Sequence, residues 1–157
     1  MTDCRNEVIS NDYLDLISED YRRFENTIVV RLNRGEEILT ELKKICEAEN
    51  VKLARLYALG ATDHFVVGAY SVEEQKYYKN EFNGTFEITN LTGNITTMNG
   101  EYYAHLHITC ADEKSKCFGG HLNECRISAT LEMFIEVLDG TVERMKDEAS
   151  GLNVFKF

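Results

Sequence analysis

The sequence contains no proline. Its turns must therefore come from residues that tolerate a left-handed backbone or bond back to it, and Asn33-Arg34-Gly35, Asn83-Gly84, Asn99-Gly100, Gly119-Gly120 and Asp139-Gly140 supply them. Positive charge is also scarce. Seventeen Lys and Arg against 27 Asp and Glu leave a formal net charge of −10, which repels phosphate backbones and anionic membrane surfaces and disfavours generic nucleic-acid binding. No apolar run approaches the roughly 18 residues needed to cross a bilayer. Residues 1–20 are polar and acidic and lack the apolar centre of a signal peptide, so the expectation is a cytoplasmic protein with no membrane partner. The five cysteines, Cys4, Cys46, Cys110, Cys117 and Cys125, are odd in number and show no Cys-x-x-Cys spacing. Neither a disulfide framework nor a cysteine zinc site is indicated, and free thiols in a reducing compartment are the simpler account. A phosphate loop, a dinucleotide glycine pattern and a serine nucleophile with its base are absent in recognisable form.

What remains is an ordinary globular composition, 43% hydrophobic and 28% charged over 157 residues, enough for one domain with a sizeable core. Residues 1–20 read as a leader and 21–157 as the domain. Residues 24–32 are β-branched and apolar enough for a strand that Asn33-Arg34-Gly35 ends. Ile38, Leu42, Ile45 and Cys46 then recur at helical spacing over 36–49, with early glutamates at the positive end of the helix dipole. Residues 51–59 and 64–71 suggest two strands joined near Gly60, and 76–82 a third, closed by a hairpin at Asn83-Gly84. A strand over 86–98, broken or bulged at Gly93, leads through Asn99-Gly100 into the next one, an antiparallel meander. Residues 117–138 form a long extended run, for which a helix over 131–138 is the alternative. Residues 141–151 read as a polar turn or short helix, and 152–157 as a closing strand.

Three of the four histidines lie close together. In Tyr103-Ala104-His105-Leu106-His107-Ile108-Thr109 the alternation puts Tyr103, His105, His107 and Thr109 on one face of a strand and Ala104, Leu106, Ile108 and Cys110 on the core face. Same-face neighbours on a strand are roughly 6 to 7 Å apart, from a rise of about 3.3 Å per residue, so two imidazoles can converge on one ion. His121 is a plausible third ligand, because Gly119-Gly120 lets the backbone approach closely or bend sharply. Three neutral nitrogens suit zinc, and also iron, nickel or copper. The alternative is that the histidines only make hydrogen bonds in a polar pocket.

Other residues carry weaker signals. Glu87 and Glu132 sit inside apolar strands and are candidates for a fourth ligand or a general base, with exposure on a half-solvated sheet the favoured reading. His64 reads as a surface or interface histidine. Cys110, by parity, is a small buried hydrophobe. Arg31, Arg34, Arg55 and Arg126 could form an anion site, though ordinary surface ion pairing explains them equally well.

Taken together, Leu32-x-x-Gly35-Glu36, Phe86-Glu87-Ile88, Leu91-Thr92-Gly93-Asn94-Ile95, His105-Leu106-His107, Gly119-Gly120-His121-Leu122 and Ala129-Thr130-x-Glu132 resemble the plant and prokaryote conserved (PPC) domain. The resemblance runs from about residue 24 to 157. It implies an α/β (α+β) single domain, mostly antiparallel β-sheet flanked by a few helices, related to the acetolactate decarboxylase-like fold and assembled as a homotrimer. It also implies a metal set of His105, His107 and His121 holding zinc, with a small-molecule or regulatory role. In plants the family follows AT-hook segments in DNA-binding proteins, but the Arg-Gly-Arg-Pro hook is missing here. Three times −10 gives the trimer a formal −30, against a DNA partner. The alternatives are therefore a DNA-binding or transcription-associated module and a zinc-dependent lyase or hydrolase.

Overall fold

The computed structural model describes residues 20–157, so the leader read at 1–20, with Cys4, lies almost wholly outside the described residues. The chain order is β1 (Tyr21–Phe24), β2 (Thr27–Asn33), α1 (Ile38–Ala48), β3 (Ala54–Ser71), β4 (Lys76–Met98), β5 (Glu101–Asp112), β6 (Cys117–Val137), β7 (Glu143–Lys146) and β8 (Asn153–Lys156). The sheet is antiparallel apart from a single parallel bridge between β4 and β7 at Thr97 and Glu143. Among the described residues α1 is the one helix, and no helix is long and apolar enough to cross a membrane.

Four strands make the frame. β3 pairs with β4 and β6, β4 with β5, and β5 returns to β6, so the pairings close into a ring at one end of the sheet. At that end Phe65, Phe82, Phe86 and Phe118 pack against one another, with centroids from 4.7 to 6.4 Å apart. Alternation along each strand fills the core: Leu106, Ile108 and Cys110 from β5, and Ile127, Leu131, Met133 and Ile135 from β6, are buried. The helix contributes Ile38, Leu42, Ile45 and Cys46, the four positions its periodicity singles out.

The helix starts at a carboxylate. Glu37 accepts hydrogen bonds from the backbone N–H groups of Leu39 (3.1 Å) and Thr40 (2.8 Å), and from Cys125 N on β6 (3.2 Å). It satisfies two orphan donors of the first turn and ties the helix to the sheet. Glu37→Ala is expected to cost about 1–2 kcal/mol, the upper part of the capping range, because a strand donor loses its partner too. A denaturation midpoint indistinguishable from wild type would contradict this.

Several local expectations yield to longer-range pairing. Residues 24–32 are two strands, because Glu25 takes a left-handed conformation (φ 52°) and turns the chain between β1 and β2. The predicted junction at Gly60 and the hairpin at Asn83-Gly84 are both absent. β3 and β4 run through them as continuous strands, with the irregularity absorbed as register shifts at Ala58/Gly60 and Thr62/His64. The real hairpin lies between Ser71 and Lys76. In β4 the register shift falls between Ile88 and Asn90, not at Gly93. Residues 131–138 are strand up to Val137, which removes the helix alternative, and 141–151 contain β7.

Candidate metal centre

β5 presents Tyr103, His105 and His107 on the side opposite its buried residues, as alternation requires. His107 stands directly across the ladder from His121 on β6. The three imidazoles form a cluster with centroid separations of 5.1, 5.2 and 5.6 Å, and one nitrogen from each lies within 4.8 Å of the others. A Cβ on Gly120 would sit 2.7 Å from Gly68 O on β3, and one on Gly119 would sit 2.4 Å from Ile108 O on β5. The glycine pair before His121 thus lets three backbones crowd together, so that β6 can deliver His121 opposite β5.

Burial acts on the same residues. It pushes the His105 imidazolium pKa down to about 4, with the neighbouring His121, His107 and Arg144 charges adding to the effect, and it lowers that of His121 in the same way. Both rings are therefore neutral near pH 7, the form a metal requires. For the metal-free protein the sign follows directly. Between pH 6.5 and about 4 the unfolded chain binds a proton on His105 that the folded chain refuses, so stability is expected to fall as pH drops through that window. In His105→Ala the slope of stability against pH over that interval should be shallower, and an unchanged slope would refute the assignment.

The histidines open into a cavity of about 880 Å³, also bounded by the β7–β8 hairpin. Arg144 on β7 lies in its wall, stacked between the rings of Tyr103 and Phe155, each centroid 4.6 Å from the guanidinium carbon. Tyr77 covers Gly68, where a Cβ would come within 2.3 Å of its ring, and packs edge-on to His121. Its hydroxyl accepts a hydrogen bond from Asn123 Nδ2 at 2.6 Å.

The remaining candidates lie elsewhere. Glu87 and Glu132 are exposed and do not line the cavity. His64 is not a free surface histidine: its side chain is 15% exposed, bonded to Asn83 Oδ1 at 2.9 Å and within 3.2 Å of Glu124. Cys110 is buried, which pushes its thiol up to about 12. Arg31, Arg55 and Arg126 pair with Asp20, Glu136 and Asp63, so they form ordinary ion pairs and not a shared anion site. The closing strand expected over 152–157 is β8, but sequence reasoning missed Arg144 and its strand β7, which lie in the stretch read as a polar turn or short helix. The four residues of β7 carry too little alternation to stand out from a polar turn.

Fold and site together define a single-domain β-protein with a histidine triad at the mouth of a cavity. The chain belongs to the Plants and Prokaryotes Conserved domain family, whose sequence model matches residues 19–139. It is similar to a candidate DNA-binding protein from Bacteroides thetaiotaomicron, with 28% identity and a TM-score of 0.86 over 88% of this chain and 96% of that one. A plant- and prokaryote-conserved protein from Pyrococcus horikoshii shares 26% identity, with a TM-score of 0.77 over 90% and 97% of the two chains. A metal-containing protein from Archaeoglobus fulgidus shares the fold at 23% identity, with a TM-score of 0.78 over 89% and 100%. No curated protein matches in sequence.

Proposed function

We propose that this PPC-domain protein holds a divalent metal, zinc foremost, on His105, His107 and His121, and takes a small molecule in the adjoining cavity. The observation that carries the reading is the convergence of three imidazole nitrogens within 4.8 Å of one another. Zinc–nitrogen bonds are about 2.0–2.1 Å long, so tetrahedral ligands sit roughly 3.4 Å apart, and small side-chain adjustments would close the set. Such an ion supplies Lewis acidity to a ligand oxygen. The chain itself contributes the orientation: β5 carries two rings, the glycine pair brings up the third, and Tyr77, Tyr103 and Phe155 line the cavity beside them. Metal content of protein purified without added metal tests the reading directly.

The lining argues for binding over acid–base turnover. Among the described residues no Asp or Glu stands in the cavity wall, and its O–H groups are those of Tyr70, Tyr77 and Tyr103. A lyase or hydrolase would have to draw its proton donor and acceptor from these hydroxyls and the histidines. Homotrimeric assembly belongs to the same proposal. Tyr57 (50% exposed) and Leu59 (57% exposed), with Tyr57 stacked on Phe134 at 5.3 Å, give the outer face of the sheet an apolar surface on which copies could meet. Light scattering should then give three times the 18.0 kDa chain mass. Buried thiols at Cys46, Cys110 and Cys125 suit a cytoplasmic setting.

The second reading, DNA binding, draws on the description of the Bacteroides relative. The net charge of −10 and the pairing of Arg31, Arg55 and Arg126 with carboxylates weigh against it. A gel-shift titration at low salt is expected to show no retardation. Binding that weakens steeply as salt rises would reverse the order of the two readings.

A further inference from the structure

Arg144 is 6% exposed, and no carboxylate forms a salt bridge with it among the described residues. Its partners are all neutral. Nε donates to Thr96 Oγ1, one terminal nitrogen to Asn153 O and the other to Asn94 Oδ1, each at 2.8 Å. A guanidinium carries five N–H groups, so two remain after these three bonds. Its faces are covered by Tyr103 and Phe155. A desolvated cation without a counter-charge is costly, and the group that relieves it has to be anionic.

The cavity has the matching character. In a chain of net charge −10, its wall includes no acidic side chain among the described residues, and Arg144 is the one Lys or Arg among them that lines it. The histidine centre is close by: Asn94, which accepts from Arg144, is the ladder partner of His105. Arg144 also lies beyond residues 19–139, so this feature is carried by the C-terminal hairpin and not by the segment the family model matches.

We propose that the cavity is a carboxylate site, in which Arg144 receives the carboxylate of a small organic acid. Two N–H groups on a planar fork suit the two oxygens of a carboxylate. A second polar group on the same molecule faces the histidine centre, and this half of the inference rests on the metal reading above.

The test uses the full chain, metal-free and zinc-loaded, with a panel of three- to six-carbon mono- and dicarboxylic acids, each paired with its primary amide, and inorganic phosphate. Calorimetry and thermal shift give the readout. At least one acid is expected to bind tenfold or more tightly than its amide, in Arg144→Gln that preference should shrink to within twofold, and in Arg144→Lys it should fall between the two. Metal content should not change in either variant. If Arg144→Gln loosens the hairpin, the acid–amide comparison in wild type and the lysine variant still decide. Acids that never exceed their amides, or a preference that survives Arg144→Gln, would overturn the proposal, as would phosphate binding more tightly than every carboxylate. An acid preference in protein that binds no metal would leave the Arg144 pairing standing and remove only the histidine half.

Discussion

Gly93→Ala is expected to be among the most damaging single substitutions in this protein. A Cβ at Gly93 would lie 2.1 Å from His105 O, 2.5 Å from Leu106 Cδ2 and 2.9 Å from Leu106 Cα. The first and last of these are backbone atoms that no rotamer change can move. Gly93 is also paired on both sides, with Leu56 of β3 and Leu106 of β5, so β4 cannot shift away from one neighbour without pressing on the other. Overpacking in a core costs about 1–3 kcal/mol and occasionally more, and a backbone clash inside a three-strand ladder belongs at the top of that range. Because the displaced strand carries His105 and His107, metal uptake should fall together with stability. Gly100→Ala is the control. Gly100 has φ +79° but nothing within 4 Å of its missing Cβ, so only left-handed strain of about 1–2 kcal/mol applies, with no effect on the histidines. Equal costs for the two variants, or a Gly93→Ala protein with wild-type metal uptake, would contradict this account.

The second large effect is metal-linked stability. A ligand that binds only the folded state stabilises it by about 2.7 kcal/mol when its free concentration is 100 times Kd. For a domain of this size each kcal/mol moves Tm by roughly 2–4 °C, which places the expected rise at about 5–11 °C. The gain requires all three rings, since two imidazoles on one strand leave the ion short of a ligand. His121→Ala should abolish the rise, and so should His105→Ala. His64→Ala should retain it, because His64 is engaged with Asn83 and Glu124 away from the cavity. A zinc-induced shift of equal size in the His121 and His64 variants would mean that the ion binds elsewhere.

The parts of the fold that could be read from the sequence are those set by side-chain period. Alternation in β5 assigns Leu106, Ile108 and Cys110 to the core and His105 and His107 to the other face, and four residues at helical spacing mark the buried side of α1. The long extended run of β6 shows in the shared parity of Ile127, Ala129, Leu131, Met133, Ile135 and Val137, although a helix over 131–138 fits the same stretch of sequence; Ile127, Leu131, Met133 and Ile135 are buried and Ala129 is exposed. Turn chemistry is a poorer guide where a strand is held on both sides. Asn83-Gly84 has the residues of a tight hairpin, yet Asn83 is paired with His64 across the ladder and its side chain bonds the His64 ring. The chain instead reverses between Ser71 and Lys76, where Gln75 takes φ 49° without any glycine. Gly60 and Gly93 have a related explanation. Both look like breaks in a strand, and both are places where neighbouring backbones come too close for a Cβ.

The histidine cluster was legible in the sequence and the walls of the cavity were not. His105, His107 and His121 stand out by residue type and spacing, and the structure brings them together. Glu87 and Glu132 illustrate the opposite case: an acidic residue within an apolar strand can face solvent, and these two do. Arg144 could not be picked out, because its significance depends on its having no carboxylate partner among the described residues and on two rings contributed by Tyr103 and Phe155.

The most direct test of the central claim is elemental analysis of protein purified without added metal or a histidine tag, comparing wild type with His107→Ala. The account predicts one divalent ion per wild-type chain, zinc foremost, and its loss in the variant with the fold intact by circular dichroism. Wild-type protein that carries no metal and takes up none on titration would contradict it, leaving the three imidazoles as hydrogen-bonding groups at the mouth of a cavity.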